Sequence, residues 1–126
     1  ELYLKPFQML VQDYGATGFM TAYNRIGAVW AGGSQALLTG ILKEEWGFHG
    51  AIVTDYADHH KYMNGDQALR AGGSLWMDGI LNDGKFRFLT EENEAFYYHA
   101  LRRTSKEVLY MYLNARAENR EYSQRH

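Results

Sequence analysis

Hydrophobic residues recur along this chain at two different spacings. Helical spacing, with apolar side chains three or four positions apart, occurs in residues 1–14, in residues 34–46 and from Tyr97 to Ala115. Short apolar runs separate these stretches, at residues 18–24, 51–55 and 74–77. Runs of this length, rich in β-branched and aromatic residues, predict strands. The pattern therefore predicts helices that alternate with strands.

Residues that begin or end helices support these boundaries. Pro6 is expected in the first turn of the first helix, because deeper placement would remove a hydrogen bond. Ser34 is positioned to cap the second helix, and Asp66 to cap a short helix that ends at Gly72-Gly73. The last helix should bury one face, formed by Tyr97, Leu101, Val108, Met111, Tyr112 and Ala115.

This alternation predicts an α/β fold with a parallel sheet and covering helices. Three predicted strands cannot close a barrel, and a complete eight-stranded barrel needs about 250 residues. The chain is therefore expected to be a fragment of a (β/α)8-type barrel, with about three parallel strands and a long C-terminal helix. Residues 1–126 would form one incomplete domain, and the start at Glu1 rather than Met agrees with a piece of a longer protein.

The strand over residues 51–55 is the most informative element, because its apolar run ends in the carboxylate of Asp55. Catalytic groups of α/β barrels lie at the carboxyl ends of strands, which makes Asp55 a candidate catalytic residue. A strand-end Asp can also simply cap the helix that follows. The local pattern alone leaves both interpretations open.

Composition narrows the class of protein. Apolar residues make up 46% of the chain, and 13 Lys and Arg balance 15 Asp and Glu, as in a core-forming globular protein without a nucleic-acid-binding surface. No apolar run is long enough to span a membrane, and no signal peptide is recognisable, which slightly favours a cytoplasmic location. The absence of Cys excludes thiolate metal sites.

Two clusters of side chains invite a functional interpretation. Asp58, His59 and His60 could suggest a metal site, but adjacent His residues on a loop seldom point at one ion, so no metal is predicted. Trp30 follows the strand over residues 18–24 and is the better candidate for a surface that stacks on sugars. Trp46 lies on an apolar helix stripe and is expected in the core.

Four segments in order resemble the family 3 glycoside hydrolases, the β-glucosidase and β-xylosidase group. They are Leu2 to Phe7 (Leu-Tyr-Leu-Lys-Pro-Phe), Met20 to Arg25 (Met-Thr-Ala-Tyr-Asn-Arg), Leu37 to Gly50 with its Glu-Trp-Gly-Phe-His-Gly ending, and Ala51 to Tyr56 (Ala-Ile-Val-Thr-Asp-Tyr). Ala68 to Gly73 and the last helix then follow as in larger bacterial members. Each motif is weak alone, but together they are specific.

The resemblance implies a retaining mechanism with two carboxyl groups and no metal or cofactor. Asp55 would be the nucleophile, and Tyr23 would lie beside it and help to orient it. Asn24 and Arg25 are weaker candidates for substrate binding, because either could simply bond loop backbone. Tyr23 could likewise be a strand-end aromatic that packs under a loop. Trp30 completes the predicted substrate-binding set.

Departures from the family pattern matter as well. Ser74 stands where the family usually carries Asp, so a contact near the sugar site is expected to be lost. The general acid/base of the family comes from a second domain and lies outside this chain. The isolated chain should therefore hydrolyse little or nothing. A non-catalytic homologue or interaction module on the same scaffold is the alternative, and the mild evidence for it is Ser74.

Partners follow from the same interpretation. A β-glycoside substrate and the remainder of a parent enzyme are expected. A partial barrel exposes unpaired strand edges, so the isolated chain is expected to form a homodimer, in which an element such as the last helix could be exchanged.

Overall fold

The computed structural model describes residues 2–56, 63–77 and 91–124, with side chains as far as residue 115. Its helices are α1 (Lys5–Gln12), a π-helix (Ala36–Glu45), α2 (Gly65–Ala71) and α3 (Glu94–Gln124). Its strands are β1 (Gly18–Met20), β2 (Arg25–Ile26), β3 (Val29–Trp30), β4 (Ala51–Tyr56) and β5 (Leu75–Met77). Short 3-10 turns precede the π-helix and α3, at Ala31–Gly33 and Glu91–Asn93. The predicted Asp58, His59 and His60 cluster lies outside the described residues.

The mixed α/β prediction is confirmed. β1, β4 and β5 form one parallel sheet with β4 in the middle, as its near-continuous apolar run predicted. The main core cluster lies between this sheet, α1 and the π-helix, and it includes Val11, Leu38, Leu42, Phe48 and Ile52. Trp46 packs against that cluster, as expected.

The chain enters β4 through a close backbone contact. Gly50 has φ 158°, and a Cβ there would lie 2.0 Å from the Thr17 carbonyl oxygen. The Ala51 N–H donates to that same carbonyl, at 3.0 Å. Only glycine permits this approach, which aligns β4 with the start of β1.

Helix boundaries agree with the sequence in most places. Pro6 lies in the first turn of α1, and Gly72 ends α2 in a left-handed conformation with φ 111°. The Leu37 N–H donates to the Ser34 hydroxyl at 3.3 Å, so Ser34 caps as predicted. Asp66 does not cap α2, because the Asn64 side chain accepts the Gln67 N–H instead.

The structure corrects the prediction of one strand over residues 18–24. β1 ends at Met20, and the chain then forms a small antiparallel hairpin from β2 and β3. Gly27, with φ 61°, lies in the two-residue turn of this hairpin. The hairpin keeps Trp30 buried, at 6% exposure, which contradicts its predicted place on the surface.

The buried face of α3 also differs from the prediction. Of the predicted residues, Tyr97 is buried and Val108 and Met111 are half-buried, but Leu101, Tyr112 and Ala115 are exposed. The packed stripe also contains polar residues, because it includes Thr104 and Glu107. The Thr104 hydroxyl donates a hydrogen bond to the Ala100 carbonyl oxygen of the same helix, at 2.9 Å. A hydrophobic pattern could not identify a stripe with polar members.

α3 passes across the amino-terminal ends of all three parallel strands. Glu107 accepts a hydrogen bond from Ser74, just before β5. The ring of Tyr110 lies 6.0 Å from that of His49, just before β4. A Cβ at Gly18, the first residue of β1, would lie 3.5 Å from the Met111 sulfur. One helix therefore covers the amino ends, on the side of the sheet opposite to the strand ends that carry Asp55.

A partly buried ionic cluster fixes α3 in this place. Lys43 Nζ lies 2.5 Å from Glu107 Oε1 and 2.6 Å from the Gly72 carbonyl oxygen. Arg103 Nε lies 3.5 Å from the same Glu107 oxygen. Burial lowers the pKa of Lys43, whereas Glu107 opposes this shift. The charged lysine thus depends on its carboxylate partner.

We predict that Glu107→Gln destabilises the chain by about 2–3 kcal/mol, somewhat less than the loss for a fully buried pair, because Lys43 keeps a buried charge without its partner. Urea unfolding measures the change. Glu44→Gln, on the exposed side of the π-helix, should change stability by less than about 0.5 kcal/mol. The double variant Lys43→Met/Glu107→Leu should recover most of the loss, and a loss as large as that of Glu107→Gln would contradict this explanation.

Candidate active site at the carboxyl ends of the strands

Asp55 lies at the carboxyl end of β4 and is partly exposed. One carboxylate oxygen, Oδ1, accepts the N–H of Tyr56 at 2.7 Å. This bond between neighbouring residues orients the carboxylate relative to the backbone. Asp55 therefore lies at the end of the sheet opposite to the one that α3 covers, which is the end where barrel enzymes carry out catalysis.

Tyr23 reaches the same edge of the sheet from β1. Met20 pairs with Val53 in register, so three further residues bring Tyr23 level with Tyr56. The Tyr23 hydroxyl donates to the Tyr56 carbonyl oxygen, and its side chain is 47% exposed. The backbone of Tyr56 is therefore bonded on both sides, by Asp55 at its N–H and by Tyr23 at its carbonyl.

The hairpin that follows β1 is held by Trp30. Its indole N–H donates to the Ala22 carbonyl at 2.9 Å, and its ring packs with Met63 and Ala68. Trp30 therefore anchors the loop that carries Tyr23 and does not offer a stacking surface. An indole has an apolar body and one hydrogen-bond donor, which suits a buried position. The Gly32-Gly33 pair that follows Trp30 was the signal in the sequence that could have indicated this burial.

Asn24 and Arg25 follow Tyr23 and are both exposed. Arg25 donates to the Ala28 carbonyl at 2.7 Å, and the Asn24 carbonyl accepts the Ala31 N–H at 3.0 Å. The Arg25 side chain thus bonds loop backbone, whereas the bond of Asn24 is made by its own backbone. Asn24 and Arg25 nevertheless lie at the end of the sheet where β1 ends.

Ser74 lies far from this edge, contrary to the expectation of a lost contact near the sugar site. Its hydroxyl accepts the Ile52 N–H at 3.1 Å and donates to Glu107 at 2.5 Å. Ile52 precedes Asp55 by three residues, about 10 Å along a strand. Ser74 therefore belongs to the ionic cluster under α3.

Sequence reasoning also missed the irregularity of β4 beside Asp55. Val53 pairs with Leu75 and Tyr56 with Met77, so β4 has one residue more than β5 between these pairs. The Met77 N–H donates to the Thr54 hydroxyl oxygen at 3.0 Å. A pattern of apolar residues carries no signal for such an inserted residue.

Among the described residues, no group of His, Cys, Asp and Glu could hold a metal ion. No helix in the described ranges is long and apolar enough to cross a membrane.

Comparison with known proteins identifies relatives. Residues 1–78 match the family described as the glycosyl hydrolase family 3 N terminal domain. A β-glucosidase of Rhizobium radiobacter is 34% identical over 83 residues, which cover 66% of this chain and 10% of that protein. β-Glucosidase A of Butyrivibrio fibrisolvens is 33% identical over 75 residues, 57% of this chain and 9% of that protein. The chain thus spans about a tenth of the length of these relatives.

Solved structures show the same fold. β-Glucosidase 3B of Thermotoga neapolitana, in complex with glycerol, superimposes with a TM-score of 0.72 at 24% identity, over 88% of this chain and 16% of that one. The family 3 β-glucosidase of Bifidobacterium adolescentis gives a TM-score of 0.65 at 25% identity, over 90% of this chain and 16% of that one.

We predict that Tyr23→Phe loosens the end of β4 without unfolding the chain, because it removes only the donor to the Tyr56 carbonyl. The free energy of unfolding should fall by less than about 1.5 kcal/mol, and the carbonyl ¹³C resonance of Tyr56 should shift. Tyr98→Phe, on the exposed side of α3, should leave that resonance unchanged. An unshifted Tyr56 resonance in Tyr23→Phe would contradict the bond.

Proposed function

This chain belongs to glycosyl hydrolase family 3, and we propose that it is part of the catalytic barrel domain of a retaining enzyme that cleaves β-linked sugars. The observation that supports this most strongly is the place of Asp55, a partly exposed carboxylate at the carboxyl end of an interior strand. That strand lies within the residues that match the family. Residues 1–126 would then be one incomplete domain of a longer hydrolase.

The proposed reaction has two displacements at the anomeric carbon. Asp55 attacks that carbon and forms a glycosyl ester, while the bond to the leaving oxygen breaks and that oxygen takes a proton from a general acid. Water then attacks the same carbon, gives a proton back to the deprotonated general acid, and releases Asp55 as a carboxylate. Because Oδ1 accepts the Tyr56 N–H, we assign the attack to Oδ2. Two inversions leave the product with the starting configuration.

We assign supporting roles to three neighbours of Asp55. Tyr23 holds the Tyr56 carbonyl, which keeps the end of β4 in place while substrate binds. Asn24 and Arg25 lie exposed after the end of β1 and can extend the surface for sugar hydroxyls. Trp30 leaves the predicted set, because its ring is buried.

We infer that the general acid lies outside these 126 residues. Without it the leaving oxygen departs unprotonated, which slows the first step by about two to four orders of magnitude. The isolated chain should then be almost inactive on natural glycosides. The alternative of a non-catalytic homologue has lost its supporting observation, because Ser74 bonds Ile52 and Glu107 at the other end of the sheet.

We predict that a 2-deoxy-2-fluoro glycoside with a good leaving group labels Asp55 in the full-length enzyme, because fluorine slows both steps while the leaving group preserves the first. Mass spectrometry should find the adduct on the peptide that contains Thr54, Asp55 and Tyr56. Asp55→Asn should abolish labelling and lower turnover at least about a thousandfold. Asp13→Asn, an exposed carboxylate at the end of α1, should label normally.

The assignment of Asp55 fails if the adduct lies on Asp58, Asp66 or Asp78. It also fails if Asp55→Asn turns over substrate like the wild type once deamidation has been excluded.

We also propose that the isolated chain forms homodimers through β1. Among the described residues β1 pairs only with β4, so its other edge has open backbone groups. Met20 on β1 is 58% exposed, and Phe7 and Leu10 of the adjacent α1 are nearly half exposed. Exchange of α3 between copies is a second route to a dimer.

Light scattering of the isolated chain should give the mass of a dimer. Met20→Lys should shift the equilibrium toward monomer, because a charge at a strand edge opposes pairing. Tyr98→Lys, a matched exposed site on α3, should leave the mass unchanged. A monomer at high concentration for the wild-type chain would refute the dimer, and a dimer that is insensitive to Met20→Lys would exclude the β1 edge.

A further inference from the structure

The end of β4 contains a β-bulge at the two residues Thr54 and Asp55. These two residues lie opposite a single residue, Trp76, between the pairs Val53–Leu75 and Tyr56–Met77. A bulge inserts one residue into a strand, bends it and changes the direction of the side chains that follow. The candidate nucleophile is therefore part of the bulge itself.

Thr54 provides the bond that accommodates the inserted residue. Its hydroxyl oxygen accepts the Met77 N–H at 3.0 Å, and Thr54 is 3% exposed. The N–H of a strand normally bonds a backbone carbonyl of its neighbour. Here a side-chain oxygen of β4 accepts the N–H, so Thr54 is joined to β5 at the point where the register between the two strands shifts.

We propose that Thr54 is a positioning residue for Asp55, which acts by holding the bulge that aims the carboxylate at the anomeric carbon. The proposal rests on the proposed role of Asp55 as nucleophile. The carboxylate has one fixed oxygen, bonded to the Tyr56 N–H, and the Tyr56 carbonyl is held by Tyr23. The bond of Thr54 holds the other side of Asp55, so the residue is fixed from both directions along the chain.

Buried β-branched residues in strands are usually present for packing, and Thr54 could be one of them. The two roles make opposite predictions for two small substitutions. If Thr54 only fills space, Val should replace it well and Ser should not. If its oxygen positions Asp55, Ser should replace it well and Val should not, because Val has nearly the same shape but no acceptor.

The experiment measures the labelling of the full-length enzyme by a 2-deoxy-2-fluoro glycoside. The amplitude of leaving-group release counts the competent sites, and the rate constant reports how well each competent site attacks. A structural defect lowers the amplitude. A misdirected nucleophile lowers the rate constant per competent site, and a displacement of about 1 Å can cost about a hundredfold.

For Thr54→Val we expect a rate constant about 10- to 100-fold below that of the wild type, with the amplitude largely retained. For Thr54→Ser we expect a rate within about threefold of the wild type. If Thr54→Val yields little folded enzyme, Thr54→Ala and Thr54→Ser provide the same comparison, since both lose the methyl group and only Ala loses the oxygen.

The inference is overturned if Thr54→Val or Thr54→Ala reacts at the wild-type rate per competent site, or if their only defect is a loss of amplitude or yield. Asp55→Asn, measured beside them, separates the two claims. An inactive Asp55→Asn with a normal Thr54→Val rejects the positioning role alone. An Asp55→Asn variant that labels and turns over like the wild type rejects the proposed function, and the positioning role with it.

Discussion

The arrangement of this chain depends on the contacts that the carboxylate of Glu107 makes. It binds Lys43 of the π-helix through one oxygen and Ser74 through the other, and Ser74 in turn accepts the N–H of Ile52 in the central strand. Helix, strand and loop thus meet at one anion. Its partners are largely withdrawn from water. The loss of any one of them would therefore leave buried polar groups without a hydrogen-bond partner.

The position of α3 gives the sheet two different ends. The amino ends of β1, β4 and β5 lie against α3, and the carboxyl ends carry Asp55, Tyr23 and the hairpin after β1. The ionic cluster that stabilises the chain and the proposed catalytic residue therefore lie at opposite ends of the strands. The hairpin extends this division, because buried Trp30 holds the loop while Tyr23 stays partly exposed.

The sequence predicted the elements whose signal is apolar periodicity or a backbone constraint. β4 was predicted because it is buried on both faces, and the limits of α1 and α2 because Pro6 and Gly72 restrict the backbone. Two of the misses, the cap at Asp66 and the polar part of the α3 stripe, have a different cause. Asp66 hydrogen-bonds the buried hydroxyl of Tyr97, and Glu107 pairs with Lys43. Each depends on a partner more than thirty residues away, which local patterns do not contain.

A crystal structure of the full-length enzyme trapped with a fluorinated glycoside tests the central claim most directly. The account predicts a covalent bond between the anomeric carbon and a carboxylate oxygen of Asp55, with Oδ1 still accepting the Tyr56 N–H and the Met77 N–H still bonded to Thr54. A sugar bonded to a different carboxylate would contradict it. So would a trapped complex in which β4 pairs regularly with β5 and the side chain of Asp55 points away from the sugar.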